Sequence, residues 1–193
     1  NYFFYDVYNT PANPFPANVE RFTQDWATFL IPNSETDPDK RKSYLPVIDT
    51  EAVKELVAHV HTTGAKAMLY NMIYAVSLEE GVPNEVKSAI VRNLQDHFNF
   101  GKKGDVTATD IQQFLDPGDP NWQKFIIEVM TKAMKEGNFD GWQGDTMGSN
   151  WVEKVSEPGK GFSLSEHYPE LATAATEALK KEGYDFMIND IST

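Results

Sequence analysis

Cysteine is absent from the chain, which excludes a disulfide framework, a thiolate nucleophile and a cysteine zinc site together. Long apolar runs are missing as well. Phe125-Ile126-Ile127 and Ala67-Met68-Leu69 are far too short to span a bilayer, so no membrane partner is expected. Basic residues are in deficit, 17 against 29 acidic ones, for a formal net charge of −12. Such a field repels phosphate backbones and argues against nucleic acid, whereas a neutral substrate would be indifferent to it. GxGxxG, P-loop, GxSxG and basic–aromatic patterns do not occur, which argues against nucleotide cofactors, acyl transfer and RNA binding. No cofactor is expected. No signal or lipidation segment is seen, and the first residue is Asn1 rather than Met, so the beginning reads as cut or processed.

Metal signals are weak. The histidines are His59, His61, His97 and His167, and no HExxH pattern occurs. His59 and His61 stand two apart on a helical segment and face different directions, so they cannot share one ion. Asp105–Asp110 lacks the glycine and terminal glutamate of a calcium loop. Asp116-Pro-Gly-Asp119-Pro120 reads as a turn and a helix start. The mixed-sign run Asp37–Lys42 reads as a solvated loop. No metal site is expected.

What is present is a repeating design. Four segments read as buried strands: Tyr2–Tyr8, Lys66–Asn71, Phe139–Asp145 and Tyr184–Asp190. The last three each follow a polar residue and Gly (Gly64, Gly137, Gly183), a left-handed helix stop where a side chain would be strained. Between the strands lie helical patterns. Asp49 is placed to cap Thr50–His61, with Val53, Leu56, Val57 and Val60 on one face. Asp119-Pro120 opens a helix to about Lys135, with Phe125, Ile126, Val129, Met130 and Ala133 inward. Ser163-Leu-Ser-Glu166 is a capping-box pattern leading towards Leu171–Lys181. A weaker helical segment, Asn84–Gln95, falls in the connection after the second strand.

Strand and helix in alternation predict a parallel sheet covered by helices, an α/β fold. Connections after the strands are long and those before them short, the habit of (β/α) barrel enzymes, whose chemistry sits at the strand ends. An eight-stranded barrel takes about 250 residues. The four strands here therefore predict either an open sheet or half a barrel, and residues 1–193 as a fragment of a barrel domain is the better reading.

The densest chemical signal is Phe139-Asp-Gly-Trp-Gln-Gly-Asp145-Thr-Met-Gly148. A carboxylate ending a buried strand suits a glycosidase nucleophile, because an oxocarbenium-like transition state needs a fixed negative charge beneath the sugar ring. The competing reading is a strand-end Asp that caps the next loop. Asp140 lies on the opposite strand parity and deeper, so it is expected to be structural.

Phe139–Gly148 resembles the nucleophile motif of glycoside hydrolase family 66, the endo-dextranases and cyclodextran-forming glucanotransferases. Further blocks are similar in family order. Tyr5-Asp6-Val-Tyr-Asn9 with Pro14-Phe15-Pro16 looks like the second barrel strand, and Lys66–Ala75 like the third. Asp116–Gln123 looks like the lead into the third helix, and Phe186–Asp190 like the fifth strand end. The resemblance implies a (β/α)8 barrel represented by strands two to five. It also implies retaining hydrolysis of α-1,6-linked glucan, or transfer to a sugar hydroxyl, with Asp145 as nucleophile. It implies a secreted protein, or one in the periplasm or at the cell surface. Its general acid/base belongs on a later strand, about the sixth, and neither Asp190 nor Glu166 matches it. The chain alone is therefore expected not to hydrolyse dextran.

From their strand-end positions Asp6, Tyr70, Asn71, Trp142, Gln143, Asn189 and Asp190 are the candidate pocket residues. Tyr74 and Trp151, on loops, are candidates for stacking on flanking glucose units. The rival from another class is a non-catalytic sugar-binding half barrel, whose open sheet edges would favour self-association.

Overall fold

A computed structural model describes residues 2–6, 50–77, 82–96, 102–105, 107–109, 112–147 and 150–191. In chain order the elements are β1 (Tyr2–Asp6), α1 (Thr50–Thr62), β2 (Lys66–Met72), β3 (Ala75–Ser77), a 3₁₀ helix (Asn84–Ala89), β4 (Val91–Asn93), β5 (Thr107–Thr109) and β6 (Gln112–Phe114). There follow α2 (Pro120–Gly137), β7 (Gly141–Met147), β8 (Trp151–Lys154), β9 (Gly161–Ser163), α3 (Leu164–Glu182) and β10 (Asp185–Ile191).

The main sheet has the order β1-β2-β7-β10, and every pairing in it is parallel. Spatial order follows chain order, and among the described residues an α-helix precedes each strand added after β1. A doubly wound sheet needs a reversal of strand order somewhere, and these four strands have none. The arrangement is compatible with part of a (β/α) barrel.

Strand alternation divides the sheet into two faces. Ala67, Leu69 and Trp142 join one core with Val57 and Val60 of α1, Ile126 and Met130 of α2, and Leu171 and Leu179 of α3. Tyr70, Gln143 and Asp145 have the other parity. At roughly 25 cal/mol per Å² of apolar surface, each such buried aliphatic side chain contributes about 1.5–3 kcal/mol. The helices are therefore clamped to one face, and the polar strand-end residues are left to the other. The inward set of α2 is Trp122, Ile126, Met130, Ala133 and Met134, while Phe125 and Val129 are half-buried. On α1, Val57 and Val60 are buried, but Leu56 faces solvent.

Helix ends follow sequence chemistry with three corrections. Gly64 and Gly183 take positive φ (74° and 84°) where α1 and α3 stop. At the end of α2, however, Asn138 takes the left-handed position (φ 60°) and Gly137 stays within the helix. Asn tolerates that conformation better than most residues with a side chain. Asp119 caps α2 as expected, accepting from the N–H groups of Asn121 (2.9 Å) and Trp122 (3.4 Å). Helix α3 begins at Leu164 and runs through Pro169. Ser163 occupies its N-cap position without capping, because its hydroxyl is bonded to that of Ser165 (2.8 Å).

The expected helix over Asn84–Gln95 is instead the 3₁₀ helix followed by β4. Its buried residues are Val86 and Ala89, three apart, a spacing that suits three residues per turn. The long connections after β2 and β7 also carry two small antiparallel sheets, β3-β6-β5 and β4-β8-β9. β4 comes from the first connection and β8-β9 from the second, so pairing them ties the two rim loops together. Asp49, Val53's side chain and the Asp37–Lys42 loop lie outside the described residues.

Candidate active site

β7 carries the site, and its glycines explain how it fits. A Cβ on Gly141 would lie 2.4 Å from the Asp185 carbonyl oxygen and 2.7 Å from Met68 Cε. A Cβ on Gly144 would meet Ile73 Cγ2 at 2.5 Å. Both glycines let β7 seat tightly, and the approach at Gly144 is to protein, not to an open cleft.

Asp145 follows at the carboxyl end of the strand, registered against Met72 of β2 and Asn189 of β10. It is 6% exposed. One carboxylate oxygen accepts the N–H of Thr146 at 3.0 Å, and the other accepts the Tyr70 hydroxyl in a short hydrogen bond. Burial pushes the carboxyl above the usual carboxylate range; the Tyr70 hydroxyl and the Thr146 N–H pull it back only in part. No cation and no second carboxylate among the described side chains takes part in that balance. The result is a carboxylate of raised basicity, held by two neutral donors.

Gln143 shares the face of Asp145 and stands in register with Tyr70. Its Oε1 is buried with no hydrogen-bond partner. Three of the expected site residues thus come together: Tyr70, Gln143 and Asp145. By backbone register Asp6 lies beside Tyr70, Asn189 beside Asp145 and Asp190 beside Thr146. The side chains of Asp6, Asn189 and Asp190 lie outside the described residues.

Trp142 and Asn71 are corrected. Both are fully buried on the helix-packed face, with the Trp142 indole N–H donating to Asn71 Oδ1 at 2.8 Å. The Trp142 ring also packs on Phe186, centroids 4.9 Å apart. One residue of parity separates them from the Asp145 face, and this pair fastens strands instead of lining a pocket. Tyr74 is corrected too: it is fully buried, its hydroxyl donating to Met72 Sδ (3.0 Å) and its ring edge-on to Phe114. Of the two aromatics expected on loops, Trp151 is the open one, at 45% exposure, and it begins strand β8 instead of lying on a loop.

Asp140 is structural, accepting the Ala67 N–H (2.7 Å) and pairing with His61 Nε2 (2.8 Å). His59 is exposed on α1, and His97 lies outside the described residues. A second polar cluster went unseen in the sequence. Asp116 is joined by His167 Nδ1 (2.5 Å), the Gly118 N–H (2.8 Å) and Lys154 Nζ (3.2 Å), and Lys154 also reaches Asp119 (2.9 Å). Lys154 and His167 stand 35 or more residues from the Asp116–Asp119 turn that they bind, so no local pattern marks the cluster. Among the described residues no group of three or more His, Cys, Asp or Glu side chains could hold a metal ion.

Two hollows open elsewhere. One of about 490 Å³ lies between α2 and α3, lined by Ile127, Lys135, Ala178 and Glu182 among others. Another of about 310 Å³ adjoins the Asp116–Lys154–His167 cluster. Neither is lined by Asp145. Asp145 is distinguished by its face, its burial and its partners.

The family model described as glycosyl hydrolase family 66 matches residues 1–193. A dextranase of Streptococcus salivarius is 39% identical over 202 residues, which is all of this chain and 22% of that protein. A Paenibacillus sp. cycloisomaltooligosaccharide glucanotransferase, solved with cycloisomaltoheptaose, superposes with a TM-score of 0.59 at 20% identity, over 76% of this chain and 21% of that one. An α-N-acetylgalactosaminidase from Bifidobacterium bifidum, a quadruple mutant, gives 0.50 at 17% identity, over 82% of this chain and 25% of its own. At such identities the two structures speak for the fold alone.

Proposed function

The chain belongs to glycosyl hydrolase family 66, and on that premise we propose that the protein carrying it hydrolyses α-1,6-glucosidic bonds of dextran, with Asp145 as the nucleophile of a retaining double displacement. The observation that carries this is the Tyr70–Asp145 pair on the helix-free face at the strand ends. The Streptococcus salivarius dextranase at 39% identity supports the substrate class.

In this mechanism the Asp145 carboxylate attacks the anomeric carbon as the leaving glucan oxygen takes a proton from a general acid. A covalent glucosyl ester forms. Water, deprotonated by the same group, then displaces Asp145 and restores the α-configuration. Tyr70 holds the carboxylate in its charged form and fixes its rotamer. The orphaned Oε1 of Gln143 is placed to accept a sugar hydroxyl, since a buried acceptor left unpaired costs about 1–3 kcal/mol. By backbone register Asp6 and Asn189 share the parity of Tyr70 and Asp145 and belong to the proposed site, whereas Asp190, beside Thr146, has the parity of Trp142 and does not.

Retention requires a second carboxyl about 5–5.5 Å away. The described residues show none acting on Asp145, so the acid/base comes from elsewhere in the protein. The chain spans about a fifth of the dextranase it matches (22%), and by itself it releases no isomalto-oligosaccharides. A polymeric substrate such as dextran supports the reading that the protein is secreted, or held in the periplasm or at the cell surface. We assign residues 1–193 to an eight-stranded barrel as its second to fifth strands.

The test is dextran digestion by the whole protein, followed by NMR of the newly formed anomer. Early α-anomer, lost in Asp145→Ala, is expected. Early β-anomer, or full turnover in that variant, refutes the assignment. Products that are cyclic rather than reducing would mean that a sugar hydroxyl replaces water in the second step.

A further inference from the structure

We propose that Trp151 is an outer glucose-binding platform, gripping an α-glucan chain beyond the bond being cut; this rests on the function proposed above. Three tryptophans have described surroundings, and two are used up internally. Trp122 and Trp142 are fully buried, and their indole N–H groups donate to the Ile73 carbonyl and to Asn71 (2.8 Å each). Trp151 differs on both counts. It is the one exposed aromatic ring among the described side chains, and its N–H has no partner among them. An indole with an open face and an unpaired N–H offers what a pyranose takes: a flat apolar surface for its C–H groups and a donor for a ring hydroxyl.

The local fold keeps that face open and fixed. β8 is the central strand of the β4-β8-β9 sheet, and Trp151 lies opposite Ser163. The Trp151 carbonyl accepts the Leu94 N–H (2.9 Å), and the preceding Asn150 carbonyl accepts the Leu164 N–H (3.0 Å) at the start of α3. Beneath the ring sits Gly161, where a Cβ would lie 2.9 Å from the indole nitrogen and 2.7 Å from Leu94 Cδ1. Glycine therefore lets the indole settle on the neighbouring strand, with no side chain propping it up. Val152, the next residue, is fully buried and anchors the hairpin from the other side.

Chain connectivity ties the platform to the reaction. Trp151 is six residues beyond Asp145, so their Cα atoms are at most about 20 Å apart. That is within a few sugar units of the nucleophile, on the loop leaving the carboxyl end of its strand. The ligand class is a neutral, extended α-glucan, which the acidic surface does not repel.

Trp151→Ala and Trp151→Phe in the whole protein test this, by kinetics and by electrophoretic retardation in dextran-containing gels. Trp151→Ala should raise KM for dextran roughly three- to tenfold with kcat unchanged, and should relieve the retardation. Cleavage of a short isomalto-oligosaccharide should be unaltered, and Trp151→Phe should recover most of the loss. Equal retardation and equal dextran KM in the Ala variant would overturn the platform, as would an equal loss on long and short substrates. Absence of dextran cleavage by the unsubstituted protein would count against the hydrolase function. Retardation that disappears only in Trp151→Ala would uphold the platform even then.

Discussion

Asp145 and Asp119 are almost equally buried, at 6% and 4% exposure, yet their surroundings push them in opposite directions. For Asp119, burial raises the carboxyl, but the Lys154 ammonium and the N–H groups of Asn121 and Trp122 outweigh it and hold the group below the usual range. For Asp145, burial also raises it, and one hydroxyl and one N–H do not bring it back. Asp119 has a cation on one oxygen and a helix N-terminus on the other, so it has nothing left to offer a substrate. Asp145 has neutral donors only, which align it without quenching its basicity. A depressed carboxylate beside its own cation marks scaffolding, and a raised one on a polar strand-end face marks chemistry.

The comparison breaks most visibly at Asp145 itself. Asp145→Asn should lower turnover on dextran by on the order of 10⁴-fold or more. Stability should not fall with it. A carboxyl whose folded pKa is raised contributes stability that is present below its unfolded value and lost as pH rises through the folded one. At neutral pH its charge is therefore a burden, and the amide removes that burden. Urea midpoints at pH 7 should match or exceed the parent's; a marked drop would make Asp145 another Asp119. Lys154→Met attacks the other side. It leaves Asp116 and Asp119, with side chains 2% and 6% exposed, without their shared cation, and should cost about 3 kcal/mol in denaturant unfolding.

How far the sequence revealed this division depends on range. The strands over Lys66–Met72, Gly141–Met147 and Asp185–Ile191 were legible to within two residues, and the Asp119-Pro120 start and the Gly64 and Gly183 stops were legible because each is set by two or three adjacent residues. The position of Tyr70, Gln143 and Asp145 towards the carboxyl ends of their strands was also legible, because the apolar runs that precede them mark the strands. Trp142 and Asn71 were misplaced because position along a strand was weighed without its parity. A shift of one residue sends a side chain to the opposite face. The Lys154–Asp116–His167 cluster and the pairing of β4 with β8 were invisible, because their partners are brought together only by the fold. Tyr74 looked like a loop aromatic, and the unforeseen β3-β6-β5 sheet is what buries it.

Tyr70 sharpens the comparison more gently. Tyr70→Phe deletes the larger of the two influences that lower the Asp145 carboxyl. A hydrogen bond to a charged group contributes about 1.5–3 kcal/mol, so kcat/KM should drop about 10- to 100-fold. The acid limb of the pH–rate profile should move to higher pH, because the carboxylate becomes harder to form. An unmoved limb would mean that Tyr70 packs against Asp145 without governing its charge.

The smallest effect is expected at Asp119, and its sign is the useful part. Asp119→Ala removes the α2 cap and one partner of Lys154, at about 1–2 kcal/mol near neutral pH. The folded pKa of Asp119 is depressed, so its contribution is present above the unfolded carboxylate value and is lost as pH falls through the folded one. The gap between Asp119→Ala and the parent should therefore close on acidification. Any advantage of Asp145→Asn should vanish over the acidic range too, but from the opposite side, with the variant the more stable protein at neutral pH. Denaturation midpoints measured on both variants across one pH series read the two carboxylates against each other. Parallel curves of the same sign would mean that burial alone, and not the choice of partners, sets how each behaves.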